Sequence, residues 1–367
     1  MASSTLSTIN APEETTGKIR KNRMTSEYSG LLQQIKEAGL LRRRHSYYAV
    51  KIVGTVAALV ATAFAFFLVG NTWFQLIVAG ALAVVFTQLA FIGHETAHRQ
   101  VFRSGRLNDW FGVVLSNLIV GLSYGWWNNK HNRHHGNPNT IGKDPDIVDA
   151  VIVFTPEQAQ RRHGLARTIS GKQGYFFFPL LLLEGINLHK DALRTVFGRK
   201  KLSRRWAEMT LLTIRLCGVP AVVFIFLSPG LATAFLGVQL GVFGLYMGST
   251  FAPNHKGMPL IPAGTKVDFL QRQVLTSRNI RSNWFIDWFM GGLNFQVEHH
   301  LFPSMPRPNL RAAQRIVREY CLDRDVAYTE VGIFRSWAIV VTYLNRVGLG
   351  QRDPFECPMI AQMRPRA

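Results

Sequence analysis

The sequence is poor in cysteine and in acidic residues. Its three cysteines, Cys217, Cys321 and Cys357, lie far apart in 367 residues and form no CxxC pair. This pattern argues against a disulfide framework and against a thiolate metal site. Asp and Glu together number 22 against 42 Lys and Arg, which gives a formal net charge of +20. Because no recognisable nucleic-acid-binding motif accompanies this charge, we expect no nucleic-acid partner.

The first 23 residues, MASSTLSTINAPEETTGKIRKNR, lack an apolar core. A secretory signal peptide needs such a core, so we expect these residues not to act as one. We expect residues 1–48 to form a cytoplasmic N-terminal tail and residues 321–367 to form a cytoplasmic C-terminal tail.

The sequence does contain long apolar runs, although its charge is high. Hydrophobic residues make up 47% of the chain, and four runs are long enough to cross a bilayer as helices. Buried helices of a soluble protein are the alternative, but those should show a polar stripe. The short turns GNT and SPG join the runs into two hairpins, which predicts an all-α integral membrane protein. The predicted spans are 52–70, 73–92, 209–227 and 231–251.

Basic residues are distributed unevenly about these spans. The two hairpin turns contain no Lys or Arg, whereas the opposite ends are rich in both. Excess Lys and Arg marks the cytoplasmic face. We therefore expect residues 93–208 and 252–320 to form a cytoplasmic helical cap on a membrane domain of residues 49–320. The expected location is the lipid bilayer of a bacterial plasma membrane, with both termini in the cytoplasm.

Histidines form three short clusters, and each cluster follows the predicted end of a span or lies in the cap. The clusters are HETAH (His94 and His98), HNRHH (His131, His134 and His135) and EHH (His299 and His300). On a helix, residues i and i+4 project from one face and can hold one metal ion. His131 and His134 share a face, and His135 points about 100° away, which predicts that His135 reaches a different ion. The adjacent pair in the third cluster also predicts two ions.

Seven imidazoles exceed the three or four ligands of a tetrahedral zinc site and favour a dinuclear centre. Imidazole suits iron, copper and zinc alike. His255 follows the fourth span in FAPNHKG and is predicted to be an eighth ligand, and its neighbour Asn254 could reach a metal through water or form a turn. Each ligand imidazole needs an acceptor for its other nitrogen. The carboxylates available for this role are Glu95, Glu298, Asp144 and Asp146.

The motifs HETAH, HNRHH and QVEHHLFP resemble the three histidine boxes of the membrane fatty acid desaturases, over roughly residues 50 to 320. The resemblance implies a di-iron centre in the cap, held mainly by the box histidines and by His255. It also implies that O2 and electrons from a reductase chain are used to insert a double bond into an acyl chain. Many members begin the third box with histidine, whereas this chain has Gln296. Gln in this place resembles the acyl-lipid and front-end branches, and Gln296 is predicted to be a weak ligand or an orienting group.

Front-end members often carry a fused cytochrome b5 domain with an HPGG motif, and this sequence contains no HPGG. The resemblance therefore implies a separate electron donor, such as a ferredoxin or cytochrome b5 with its reductase. The positive charge would suit an acidic donor, and it would equally suit anionic lipid headgroups. The acyl carrier stays open among acyl-lipid, acyl-CoA and acyl carrier protein.

Two other functions compete with desaturation. A related histidine-box hydroxylase or ketolase would make an alcohol or a ketone on a lipid substrate. A non-redox membrane protein for metal binding or transport is the second alternative, but a transporter should place its ligands near the bilayer midplane. No histidine lies inside the four predicted spans, which argues against transport.

Overall fold

The computed structural model describes residues 27–199 and 201–351. Cys357 and both chain ends lie outside the described residues. The described part is predominantly helical, and its only sheet is one parallel pair of two-residue strands in which Asn279 pairs with Glu330 and Ile280 with Val331. The helices are α1 (27–37), α2 (His45–Val69), α3 (Gln75–Ala97), α4 (Gly105–Val113), a π-helix (Val114–Val120), α5 (Tyr124–Gly136), α6 (Pro156–Gln160), α7 (Gly164–Ser170), α8 (Gln173–Leu181), α9 (Glu184–Val196), α10 (Arg205–Phe226), α11 (Pro229–Phe251), α12 (Phe269–Leu275), α13 (Trp284–Phe289), α14 (Gln296–Leu301), α15 (Leu310–Leu322) and α16 (Ile333–Gly348). The strands are β1 (Asn279–Ile280) and β2 (Glu330–Val331), and single 3-10 turns cover Pro145–Ile147, Ala252–Asn254 and Arg307–Asn309.

Four helices of the described chain are long and apolar enough to cross a membrane. They are α2, α3, α10 and α11 with the turn that follows it, with mean hydropathies of 2.5, 2.3, 2.0 and 1.5. Each overlaps one predicted span, and short turns join them as α2–α3 and α10–α11. The predicted all-α membrane fold with two hairpins is confirmed.

The four membrane helices do not share the same environment. In the most apolar stretch of α3, 61% of residues are buried, and 44% in that of α11. The corresponding shares for α2 and α10 are 6% and 17%. Phe86 and Leu89 of α3 pack with Phe243 and Met247 of α11 in one buried cluster. Helices α3 and α11 are therefore more enclosed by protein than α2 and α10, and they are the two that lead into the first histidine box and His255.

A further helical stretch runs through α4 and the π-helix and then turns back. It ends at Gly121, whose φ of 93° is a left-handed conformation that favours glycine. The backbone N–H groups of Gly121 and Leu122 both donate to Ser116 O. Arg215 of α10 is buried and donates from Nε to Ile119 O at 2.8 Å. The charged side chain of Arg215, inside a membrane helix, thus fixes this turn, which lies next to the start of α5.

The cap is built on short helices, and the first and last described helices, α1 and α16, pack against it. Leu31 and Ile35 of α1 are fully buried in a cluster with Leu301 of α14 and Val317 of α15. At the other end, Leu344 of α16 packs in a separate cluster that includes side chains of α8. Helix α1, which precedes residue 48, and helix α16, which follows residue 320, therefore both pack against the cap. The domain boundaries at those two positions stay a prediction.

Candidate metal centre

The first histidine box is the last turn of α3. The helix continues past its apolar run as far as Ala97, and His98 caps it by donating its backbone N–H to His94 O. The two imidazole rings lie 4.8 Å apart, centroid to centroid. His94 is 6% exposed, and its ring meets those of Trp127 and His299. The box thus points into protein and away from bulk solvent.

The second box occupies α5, whose start is fixed by side chains. Ser123 Oγ accepts the Trp126 backbone N–H at 3.1 Å and donates to Glu208 of α10 at 2.6 Å. Glu208 also accepts the Gly125 N–H at 3.1 Å. A carboxylate near a helix N-terminus interacts favourably with the helix dipole. These contacts tie the box helix to a membrane helix and so fix where its three histidines point.

The third box is α14, and His255 follows the 3-10 turn after α11. All six residues of α14 are buried, so the adjacent His299 and His300 must face different parts of the interior. His255 is 6% exposed and lies 3.2 Å from His134, Nε2 to Nε2. Four separate chain segments therefore contribute imidazoles to one region.

The eight predicted imidazoles fall into two groups, in each of which the candidate ligand atoms lie within 4.8 Å of one another. The five-histidine cluster contains His94, His98, His131, His135 and His299, and the three-histidine cluster contains His134, His255 and His300. The clusters are in contact, because the rings of His135 and His300 stack with centroids 4.2 Å apart. Two adjacent groups of nitrogen ligands fit two metal ions.

One expectation about the second box is wrong. The sequence predicted that His131 and His134 serve one ion and that His135 serves the other, but the structure groups His131 with His135. Residues i and i+4 of a helix are neighbours just as i and i+3 are, so spacing alone cannot decide between the two pairings. Asp144 decides it, because both of its oxygens lie within 3.1 Å of His134 Nδ1. That contact turns the His134 Nε2 towards His255.

Each imidazole of the three-histidine cluster is held at its Nδ1. Asp144 contacts His134, the Thr276 backbone oxygen contacts His255 at 2.9 Å, and Gln273 Oε1 contacts His300 at 2.9 Å. Such partners fix the tautomer and the ring orientation of a metal ligand. All three Nε2 atoms are thereby free to face the cluster.

Gln296 completes the three-histidine cluster. Its Nε2 lies 2.9 Å from His255 Nε2, and its Oε1 accepts from Asn254 Nδ2 at 3.0 Å. Asn254 also donates to the Leu293 backbone oxygen. Asn254 thus orients Gln296, and Gln296 stands where a further ligand of this cluster would stand.

The five-histidine cluster is held differently. His98 and His131 meet Nε2 to Nε2 at 2.9 Å, and Trp127 stacks on His131 with ring centroids 4.3 Å apart. Among the described residues, His94 Nε2, His299 Nε2 and both ring nitrogens of His135 are buried without a hydrogen-bond partner. An unpartnered buried nitrogen is costly, and a metal ion would remove that cost.

Burial keeps most of these imidazoles neutral. It lowers the pKa of His98 to about 4, and burial together with neighbouring imidazoles lowers the pKa of His131, His135, His299 and His300 well below the ordinary value. Burial, with the nearby His134, lowers the pKa of His255 to about 3. Neutral imidazole is the form that binds a metal. His134 differs, since Asp146 and Asp144 raise its pKa against the effect of burial.

The four candidate carboxylates occupy different places. Asp144 contacts His134 directly, and the partly exposed Asp146 lies 3.4 Å from the same Nδ1. Glu298 instead accepts from Asn279 and Tyr328 at 2.7 Å each, and burial raises its pKa to about 7. Glu95 faces Lys51 and Arg307, away from the imidazoles. Among the described residues, the carboxylates that contact a clustered imidazole are Asp144 and Asp146.

Sequence reasoning missed two groups that position the histidines. Gln273 holds His300 and also donates from Nε2 to the His135 backbone oxygen at 3.0 Å. The Thr276 carbonyl holds His255. A glutamine in FLQRQVL and a backbone oxygen give no signal in a single sequence, because their role exists only once α12 packs beside α14.

Comparison with known proteins agrees with this architecture. The family model described as fatty acid desaturase matches residues 71–332. The chain is 29% identical over 347 residues to the Delta(6)-fatty-acid desaturase fat-3 of Caenorhabditis elegans, covering 89% of this chain and 76% of that protein. It is 30% identical over 332 residues to the acyl-lipid (9-3)-desaturase of Physcomitrium patens, covering 84% of this chain and 60% of that protein. It is 25% identical over 353 residues to the Delta(8)-fatty-acid desaturase of Helianthus annuus, covering 90% of this chain and 75% of that protein.

Proposed function

This chain belongs to the fatty acid desaturase family, and we propose that it inserts a double bond into an acyl chain at two iron ions held by the two histidine clusters. The observation that carries the proposal is the convergence of eight imidazoles from four chain segments into two adjacent groups. The match covers the segment that contains every one of these histidines, which supports the same conclusion.

The residues fit a pair of iron ions. Four buried nitrogens of the five-histidine cluster, and His300 Nε2 of the other cluster, have no hydrogen-bond partner among the described residues. Imidazole donors suit iron, and the amide oxygen of Gln296 would add a weak donor beside His255. When bound, such a centre supplies with O2 an oxidant strong enough to remove hydrogen from an unactivated CH2 group.

The protein itself orients the ligand imidazoles and excludes water from the metal site. Asp144 would hold the Nδ1 proton of His134, so that Nε2 keeps its lone pair towards the cluster. Five of the seven box histidines are buried, and His98 and His135 are partly buried. A dry site protects a reactive centre from side reactions. The acyl chain would be brought to this site from the membrane side.

We propose that both chain ends and the cap lie in the cytoplasm of a bacterial cell. The absence of Lys and Arg in the two hairpin turns supports this orientation. Electrons would come from a separate donor, either a ferredoxin or cytochrome b5 with its reductase. The net charge of +20 supports an acidic donor.

Expression of the full chain in a host whose fatty acids are profiled by gas chromatography tests the reaction. We expect a new unsaturated species when iron and a competent donor are present, and about two iron ions in each purified chain. His134→Ala should abolish the product while the protein stays in the membrane. His163→Ala is the matched control, because His163 is exposed and lies outside both clusters. An alcohol or ketone product would favour a hydroxylase or ketolase, and one zinc ion without a lipid product would overturn the proposal.

A further inference from the structure

A groove between α2 and α3 opens towards the surroundings of the protein and is separate from the metal centre. Its volume is about 850 Å³, and none of the eight clustered histidines lines it. This volume is within the range of small-molecule sites, about 300–1,000 Å³. Small and apolar residues of the two membrane helices form its long walls, namely Val50, Gly54, Ala58, Ala81, Val84 and Val85.

The end of the groove nearest the cap is charged. Lys51, Arg307 and Arg311 line it together with Asp287. Glu95 Oε1 lies 3.4 Å from Lys51 Nζ and 3.6 Å from Arg307 Nη1, and Arg311 pairs with Asp287 at 2.6 Å. Three cations therefore face two carboxylates, and one positive charge is left over at this end.

Two of these cations have unused donors. The Arg307 side chain is 10% exposed, and its Nη1 is buried without a hydrogen-bond partner among the described residues. The Lys51 side chain is 11% exposed, and Glu95 is its one acceptor in the described part of the chain. An ammonium group has three donors. Unmet donors are costly beside a bilayer, where little water can satisfy them.

We propose that this groove binds one anionic glycerophospholipid, with its phosphate against Lys51 and Arg307 and one acyl chain between α2 and α3. A soluble anion would make no use of the apolar walls, and an uncharged lipid would leave the spare donors of Lys51 and Arg307 without an acceptor. The surplus positive charge selects a headgroup of net negative charge over a zwitterionic one. The site does not depend on the desaturation reaction.

The test uses the full metal-loaded chain in bilayer discs of phosphatidylglycerol and phosphatidylcholine in equal amounts. Native mass spectrometry after extraction counts the lipid molecules that stay bound. We expect one retained phosphatidylglycerol in the wild type. Removing one cation in Lys51→Gln should lower its retention roughly fivefold.

Gly54→Phe tests the groove wall without touching a charge. Gly54 is exposed, and an added Cβ meets no atom within 4 Å, so the ring can fill the groove without disturbing the packing. We expect Gly54→Phe to lower the retention of phosphatidylglycerol as much as Lys51→Gln does. Gly237→Phe is the matched control, because Gly237 is an exposed glycine of α11 with equally open surroundings that does not line the groove. Arg318→Gln controls for charge, because Arg318 lies outside the groove and pairs with Glu330.

Equal retention of phosphatidylglycerol in the wild type and in both groove variants would overturn the site. Equal retention of phosphatidylcholine would overturn its selectivity for anionic lipid. If Gly54→Phe lost phosphatidylglycerol and Lys51→Gln did not, the lipid would be held by its acyl chain and not by its headgroup, which also contradicts the proposal. Iron content and thermal midpoint, measured on every variant, report folding separately from lipid binding.

Discussion

The two histidine clusters are built on different principles. In the three-histidine cluster, each imidazole is fixed at Nδ1 by Asp144, Thr276 or Gln273. In the five-histidine cluster, the imidazoles chiefly meet one another and Trp127, and several nitrogens have no partner among the described residues. One cluster is thus short of ligands but rigidly held, and the other has ligands to spare. The difference predicts that the two ions respond differently to the same kind of change.

Loss of a ligand from the smaller cluster should have the largest effect. His255→Ala leaves two imidazoles there, fewer than the three or four that usually hold a metal ion. We expect desaturated product to fall at least about a hundredfold and bound iron to fall from two to one per chain. Gas chromatography and elemental analysis measure the two quantities, and unchanged iron content would show that His255 is not a ligand.

The same truncation in the larger cluster should separate activity from metal content. His98→Ala leaves four imidazoles in that group, enough to retain an ion. We therefore expect a similar loss of product with iron content close to that of the wild type. If His98→Ala and His255→Ala lost equal amounts of iron, the distinction between the clusters would fail.

Removing the charge behind His134 should have an intermediate effect. Asp144→Asn keeps the shape but weakens the contact with Nδ1, and losses of about 10–100-fold in metal affinity or activity are usual for such partners. Titration with a competing chelator measures the affinity. Asp149→Asn is the control, since Asp149 pairs with Arg162 at the surface; an equal loss in both variants would exclude a specific role for Asp144.

Changing Gln296 tests whether the three-histidine cluster is short of ligands, because a ligand can be added there as well as removed. Gln296→His adds an imidazole next to His255 and should slow the loss of iron to a chelator. Gln296→Ala should speed up this loss, but by less than Asp144→Asn does. Both effects should be confined to one of the two ions. Identical chelation kinetics in the three proteins would assign Gln296 to packing alone.

The smallest effect is expected where the clusters share a support. Glu208 accepts hydrogen bonds at the start of α5, the helix that supplies His131 and His135 to one cluster and His134 to the other. Glu208→Gln removes the charge at this helix end and should destabilise the protein by about 1–3 kcal/mol. Thermal unfolding should show a lower midpoint, with both ions lost in parallel; selective loss of one would contradict this role.

The sequence predicted the outline of the molecule well for identifiable reasons. Twenty-residue apolar runs leave few options other than membrane helices, so the two hairpins could be placed, with helix ends that differ from the predicted ones by up to seven residues. The splitting of His299 and His300 between two groups also followed from their adjacency in the chain. The pairing inside HNRHH did not follow, because it depended on where Asp144 lies after folding.

Other features were beyond the reach of the sequence. Glu95 and Glu298 stood beside box histidines in the chain, yet their side chains face Lys51 and Tyr328. Adjacent residues on a helix point in directions about 100° apart, so sequence proximity to a ligand says little about contact with it. Gln273 shows the converse, because it is distant in sequence from His135 and in contact with its backbone.

The residue types and their spacing alone determined that this chain is a membrane protein with four apolar spans and enough imidazoles for two ions. Apolar length and ligand chemistry are properties of the residues themselves. Only the tertiary structure decided which imidazole joins which cluster, which partner fixes its ring, and that charged groups line one end of the groove between α2 and α3. Those outcomes depend on the directions of side chains from distant segments, which are set when the cap packs on α3 and α11.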